Sequence, residues 1–91
     1  MEFDWDPRKA ASNLRRHNVS FGEAATVFSD PLSTTVPDPD HSHNEDRFIT
    51  IGLSHRGRLL MVAHIERGGR LRIISARALT HTERTQYEEG C

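Results

Sequence analysis

The sequence predicts a single α+β domain over residues 1–91, with two N-terminal helices, a four-stranded antiparallel sheet and a C-terminal helix. Three observations predict it. Apolar residues recur at helical spacing as far as Phe28, the period falls to two after Pro31, and a capping signal at Thr80 opens a last helix. The chain has 91 residues, 35% hydrophobic and 27% charged, which allows one modest core and no sealed cofactor cavity.

The elements follow in order. Asp6-Pro7 starts a helix, with Asp6 as cap and Pro7 pre-set for the first turn; Ala10, Ala11 and Leu14 give it a thin apolar stripe, and Asn18 is the left-handed residue that ends it. Ser20-Phe21-Gly22-Glu23 is a capping box for a second helix bearing Phe21, Ala24, Ala25 and Phe28, stopped by Asp30-Pro31. Strands are expected at Leu32 to Val36, Arg47 to Leu53, Leu59 to Glu66 and Leu71 to Ala76. Ser54 to Arg58 and Arg67-Gly68-Gly69-Arg70 supply the turns of a meander. Thr80-His81-Thr82-Glu83 caps a helix running toward Gly90.

Several function classes fall away. The longest apolar run, Leu59 to Ala63, is far too short to span a membrane, and the acidic start Met1 to Asp6 is unlike a secretory leader, so the expected location is the cytoplasm. One cysteine, Cys91, builds neither a disulfide framework nor a zinc site. Asp38, Asp40 and Ser42 open like a calcium loop, but His43 replaces the turn glycine and Ile49 the closing glutamate. His41 and His43 have no clear third metal ligand, so no metal is expected.

Charge is more informative than the net −1 suggests. Met1 to Asp46 holds nine acids and four bases, net −5; Arg47 to Arg77 holds one acid and seven bases, net +6; the remainder is net −2. Eleven of the twelve cations are arginine, the side chain whose fork fits phosphate or carboxylate.

The last hairpin has two possible registers. A two-residue Gly68-Gly69 turn sets Ile65 opposite Arg72, and a loop one residue longer, with a glycine bulge, sets His64 opposite Arg72. The longer loop sorts side chains better by pattern: Leu59, Met61, Ala63, Ile65, Leu71 and Ile73 then face the helices, while His64, Glu66 and Arg72 share the other face. Arg72 and Arg77 suit the extra-charged phosphorane formed when an RNA 2′-hydroxyl attacks its own phosphodiester. Arginine cannot carry the proton, so His64 is the first candidate, with Glu66, Tyr87 and His17 behind it. Lys9, Arg15, Arg16 and His17 could extend a phosphate surface, or simply be a solvated helix face whose cations suit the C-terminal dipole.

Trp5-Asp6-x-x-Lys9-x-x-x-Asn13-x-x-x-His17-x-Val19-x-Phe21-x-Glu23-Ala24, then Glu45-x-Arg47, Ile51-Gly52, Arg72 to Ala78, Glu83-Arg84 and Tyr87-Glu88, resemble the BrnT family of type II toxins over nearly the whole chain. The resemblance implies a RelE-like ribonuclease fold, metal-independent RNA cleavage that arrests translation, and neutralisation by a BrnA-type ribbon-helix-helix antitoxin through which alone the complex meets DNA. By position it assigns the basic surface to Arg47, Arg72 and Arg77, with Lys9 and His17 as weaker counterparts; Tyr87 is a candidate RNA contact because it shares a face of the last helix with Glu83, and His64 rests on the register argument. The chain departs from the pattern at Asn18, where Gly is usual, and at Thr80-His81-Thr82, often more basic. A different class stays open: a non-catalytic module that binds the antitoxin as co-repressor.

Overall fold

A computed structural model describes residues 2–38 and 46–89. His41 and His43, and with them the metal and calcium readings, lie outside the described residues. The order is β1 (Glu2–Asp4), α1 (Pro7–His17), α2 (Phe21–Thr26), a 3-10 turn (Val27–Ser29), β2 (Thr34–Pro37), β3 (Arg47–Leu53), β4 (Leu59–Arg67), β5 (Arg70–Ala78) and α3 (His81–Glu89). The sheet runs β1-β5-β4-β3-β2.

The caps are those the sequence announces. Asp6 accepts from the Arg8 amide at 2.8 Å, and Asn18 takes the left-handed conformation (φ 56°) with its amide on the Leu14 carbonyl. Ser20 accepts from the Glu23 amide. At α3 the box is reciprocal: the Glu83 amide donates to Thr80 Oγ1 at 3.2 Å, and the Thr80 amide donates to Glu83 Oε1 at 2.9 Å.

The sheet differs from expectation in three ways. It has five strands and is mixed, because β1 pairs parallel to β5 (Phe3 with Leu71, Asp4 with Arg72). Three residues beside a helix start carry too little pattern to announce a strand. The second difference is the register: Arg67 pairs with Arg70 and Ile65 with Arg72, so the turn is the two-residue one and His64 is not opposite Arg72. Gly68 and Gly69 both take positive φ (55° and 80°), which matches the right-handed twist of the strands without a longer loop.

The third difference follows from where the irregularity falls. His64 pairs with Ile73 and Ala63 with Ser75, leaving Ile74 as an extra residue in the middle of β5. The side chains of β4 and Ala76 consequently sort opposite to the expectation, while Leu71 and Ile73 face the helices as expected. Leu60, Val62, His64, Leu71, Ile73 and Ala76 are buried against Val19, Phe21, Ala24 and Val27, whereas Met61, Ala63 and Ile65 are only half-buried on the second face.

α1 and α2 lie over the first face, whereas α3 stands at the Ile51, Met61 and Arg77 end of the second, and α1 meets its face in an unexpected way. Ala10 packs on the core, but Leu14 of the expected stripe is 49% exposed and Asn13 points inward instead. β1 covers the free edge of β5 only from Arg70 to Arg72. Farther along, the Asn13 carboxamide takes its place: Nδ2 donates to the Ala76 carbonyl at 2.8 Å and to the Val19 carbonyl at 2.9 Å, and Oδ1 accepts from the Ala76 amide at 3.0 Å. One side chain thus gives a buried strand edge its hydrogen bonds and fixes α1 to β5.

The β3–β4 turn is tied to α2 by a buried carboxylate. Glu23, 3% exposed, accepts from Arg58 at both oxygens (Nε at 3.0 Å) and from the Ser54 hydroxyl at 2.7 Å. The Arg58 guanidinium holds its acid down at about 2.

Candidate functional site

The second face of the sheet is the open one. Its side chains form three cross-strand rows: Arg47, Ile65 and Arg72; Ile49, Ala63 and Ser75; Ile51, Met61 and Arg77. Arg72 and Arg77 are an odd number of residues apart, so a regular strand would send them to opposite faces. The extra Ile74 puts both on this one.

His17 and Arg47 complete a shallow depression of about 330 Å³ on this face, floored by Ile49, Met61 and Ala63 and walled by Ser75, Arg77 and Asp38. His17 reaches it because it lies one helical turn beyond Asn13, which is fixed to the strand carrying Arg77. The depression therefore brings together Arg47, Arg77 and His17 of the expected site residues. Lys9 lies next door, in a groove of about 220 Å³ that shares His17 and Ser75 with the depression.

The other expected residues are elsewhere. His64 is 0% exposed on the opposite face, so it cannot meet a substrate on the open one. Its Nε2 lies 2.7 Å from Thr50 Oγ1, Phe28 packs edge-on at 4.9 Å between ring centroids, and Phe48 stacks at 6.1 Å. Burial drives its pKa down to about 4, which keeps the imidazole neutral. The expectation of a His64/Arg72 pair is thereby corrected: the tight turn and the mid-strand bulge turn the histidine into the core. Tyr87 donates its hydroxyl to the Leu32 carbonyl at 3.0 Å, tying α3 to the segment before β2.

Each arginine of the open face has a carboxylate partner. Glu83 grips Arg77 through both oxygens (Oε1 to Nη1 at 2.7 Å, Oε2 to Nη2 at 2.9 Å), and the same guanidinium donates to the Ala78 carbonyl and contacts Met61 Sδ. The guanidinium holds the Glu83 acid down at about 2, and the carboxylate in turn raises the Arg77 pKa. Arg72 and Arg70 share Asp4 at 3.2 and 3.5 Å, and Arg47 Nε stands 3.3 Å from Asp38. Arg72 and Arg77 therefore occupy different ends of the face, each engaged by its own acid.

Sequence reasoning missed these partners. Asp4 gave no signal before β1 was known, and Glu83 was legible as a cap and as a neighbour of Tyr87 on one helix face but not as the partner of Arg77. Asn13 could have been found, because it is a polar residue three positions after Ala10 on the inward side of α1.

The arrangement can bind a phosphodiester over an apolar floor, with an exposed imidazole beside it. A search of curated proteins finds no match to the chain. Among solved structures, the chain is similar to the 1.1 Å crystal structure of the Brucella abortus ribonuclease toxin BrnT, with a TM-score of 0.71, 23% identity, and coverage of 89% of this chain and 99% of that one. That likeness agrees with the α+β fold of three helices and five strands. Residues 5–83 match the family model described as "Ribonuclease toxin, BrnT, of type II toxin-antitoxin system", and the chain belongs to that family.

Proposed function

We propose that this chain is the toxin of a type II pair and an endoribonuclease that cleaves RNA at the open face of its sheet. The observation that carries the reading is the convergence of His17, Ser75, Arg47 and Arg77 around one shallow depression, in a chain of a ribonuclease toxin family. RNA lies across the face with one phosphodiester over Ile49, Met61 and Ala63. Its 2′-hydroxyl attacks the phosphorus, the 5′-oxygen leaves, and the added negative charge is met by Arg47 and Arg77. His17 replaces His64 as proton carrier, since its imidazole is exposed beside the phosphate. Arg72 and Lys9 bind flanking phosphates, and the donor set of guanidinium and imidazole suits cleavage without a metal.

A BrnA-type ribbon-helix-helix antitoxin neutralises the protein and supplies the DNA contact. A second reading, a non-catalytic antitoxin-binding co-repressor, draws on the saturation of Arg77: both of its terminal nitrogens are already engaged. Producing the chain without its partner separates the two. The ribonuclease reading expects growth arrest and fragmented RNA, with His17→Ala slowing cleavage about 100-fold or more. Unchanged growth and intact RNA, with soluble folded protein present, refute it; full cleavage by His17→Ala moves the proton carrier elsewhere.

A further inference from the structure

The fold redistributes charge in a way that the linear sequence conceals. Each arginine of residues 47–77 has a carboxylate partner inside the molecule, five acids among seven arginines, all drawn from the flanking segments. Arg70 and Arg72 meet Asp4, Arg56 and Arg58 meet Glu23, and Arg47, Arg67 and Arg77 meet Asp38, Asp46 and Glu83. From the N-terminal third, Asp4 and Glu23 are engaged by these arginines while Asp6 and Asp30 accept from backbone amides, and α1 itself carries Arg8, Lys9, Arg15 and Arg16 and no acid. None of these four has a carboxylate partner among the described residues, and all four are exposed. An ordinary solvated helix offsets its cations with acids three or four residues away; this one does not.

Two of these cations line a defined surface. Lys9, Ser12 and Arg16 recur at i, i+3 and i+7, one ridge of the helix, and face Ile74 and Ser75 across the groove beside β5. The groove runs into the open-face depression at His17 and Ser75, which line both. Its two hydroxyls, two cations and single apolar side chain suit a solvated polyanion rather than a folded apolar partner.

We propose that the α1–β5 groove is a track for single-stranded RNA, in which Lys9 and Arg16 each neutralise a phosphate flanking the one that reacts and Ser12 and Ser75 serve as hydrogen-bonding groups. The cluster of cations that draws RNA to the molecule, without carboxylate partners among the described residues, therefore lies on α1, and the sheet arginines, each beside an acid, act on RNA already in place. The proposal rests on the ribonuclease reading for the identity of its polyanion, and its test does not depend on cleavage.

The probe is a 2′-O-methyl oligoribonucleotide, whose blocked hydroxyl prevents cleavage, titrated by fluorescence anisotropy at several KCl concentrations. The protein is compared with the double variant Lys9→Gln/Arg16→Gln and with Arg84→Gln, which removes a cation of α3 that lines neither the groove nor the depression and has no ion pair among the described residues. Glutamine keeps helix propensity, and circular dichroism checks the fold. Losing two single-strand phosphate contacts lowers the salt slope by about 1.4, equivalent to about 25-fold weaker binding at 0.1 M salt relative to 1 M. Arg84→Gln binds as the parent does. An unchanged slope in the folded double variant overturns the track. If poly-glutamate competes as well per charge as the oligonucleotide, the groove takes an acidic peptide and the RNA assignment falls. Binding of the blocked oligonucleotide without cleavage of an unblocked one refutes the ribonuclease reading and leaves the track standing.

Discussion

His64 should make this domain acid-sensitive well above the range in which its carboxylates titrate. In the unfolded chain the imidazole has its ordinary pKa of 6.5, and in the fold burial lowers it to about 4. Between those values the unfolded chain holds a proton that the folded one refuses, so stability rises with pH and is lost as pH falls from 6.5 toward 4. The difference corresponds to about 3 kcal/mol, with a slope approaching 1.4 kcal/mol per pH unit. Two neighbours could oppose this. Thr50 Oγ1 bonds Nε2 in either protonation state, and Glu66 stands 3.8 Å from Nδ1 but is too exposed to repay the desolvation of an imidazolium. The carboxylates held by arginine, Glu23 and Glu83, have pKa values of about 2 and contribute stability that is lost only as pH falls from 4.5 toward 2. The two windows barely overlap. Urea unfolding at half-unit steps from pH 7 to 4, for the parent and His64→Leu, isolates the term, because the variant keeps the apolar volume and loses the titration. The readout is the slope with pH, so a less stable variant is still informative. A parent whose stability is flat from pH 6.5 to 4.5, or a variant with the parent's slope, would show that the imidazole is not held neutral and that the core packing around it is wrong.

Two further outcomes test other joints of the structure. Arg58→Ala strands the Glu23 carboxylate, 3% exposed, with only Ser54 and a distant Arg56, and should cost about 3 kcal/mol in urea unfolding at pH 7; a loss under about 1 kcal/mol would make the pair an ordinary surface contact. Asn13→Ala removes three buried hydrogen bonds and leaves the Ala76 amide and carbonyl unpaired, which should cost about 2–4 kcal/mol and raise amide hydrogen exchange locally at Ala76 and along α1; exchange unchanged there would show that water replaces the side chain readily.

The parts of the fold that were legible are those fixed by short-range chemistry. Asp6-Pro7, Ser20 and the Thr80/Glu83 box mark helix starts because capping is a contact between residues two or three apart, and Gly68-Gly69 marks a turn because few residues tolerate positive φ twice in succession. What escaped is non-local. β1 is a strand only because β5 offers it an edge, and the position of the irregularity in the last hairpin depends on how two strands meet a helix layer. That one misplacement exchanged the faces of β4 and moved His64 from the expected site into the core. Of the candidate site, the sequence offered Arg47, Arg77 and His17, which the fold brings to one depression, but the acids that engage the arginines lie 6 to 68 residues away in sequence and required the fold.

Ile74 has a consequence for what this protein can change. β5 is two half-strands of opposite phase joined at one residue: the first half reads Arg70 and Arg72 toward the open face, and the second reads Ser75 and Arg77 toward it. Point substitutions anywhere along β5 leave that phase alone. Straightening the joint with Ile74 retained would turn the whole second half over, sending Arg77 toward the apolar layer and Ala76 into solvent and detaching Asn13 from its backbone partners, whereas removing Ile74 itself would leave a regular strand with both arginines still on the open face. The common face of Arg72 and Arg77 is therefore set by the interval and the bulge together: five residues need the irregularity, and four would not.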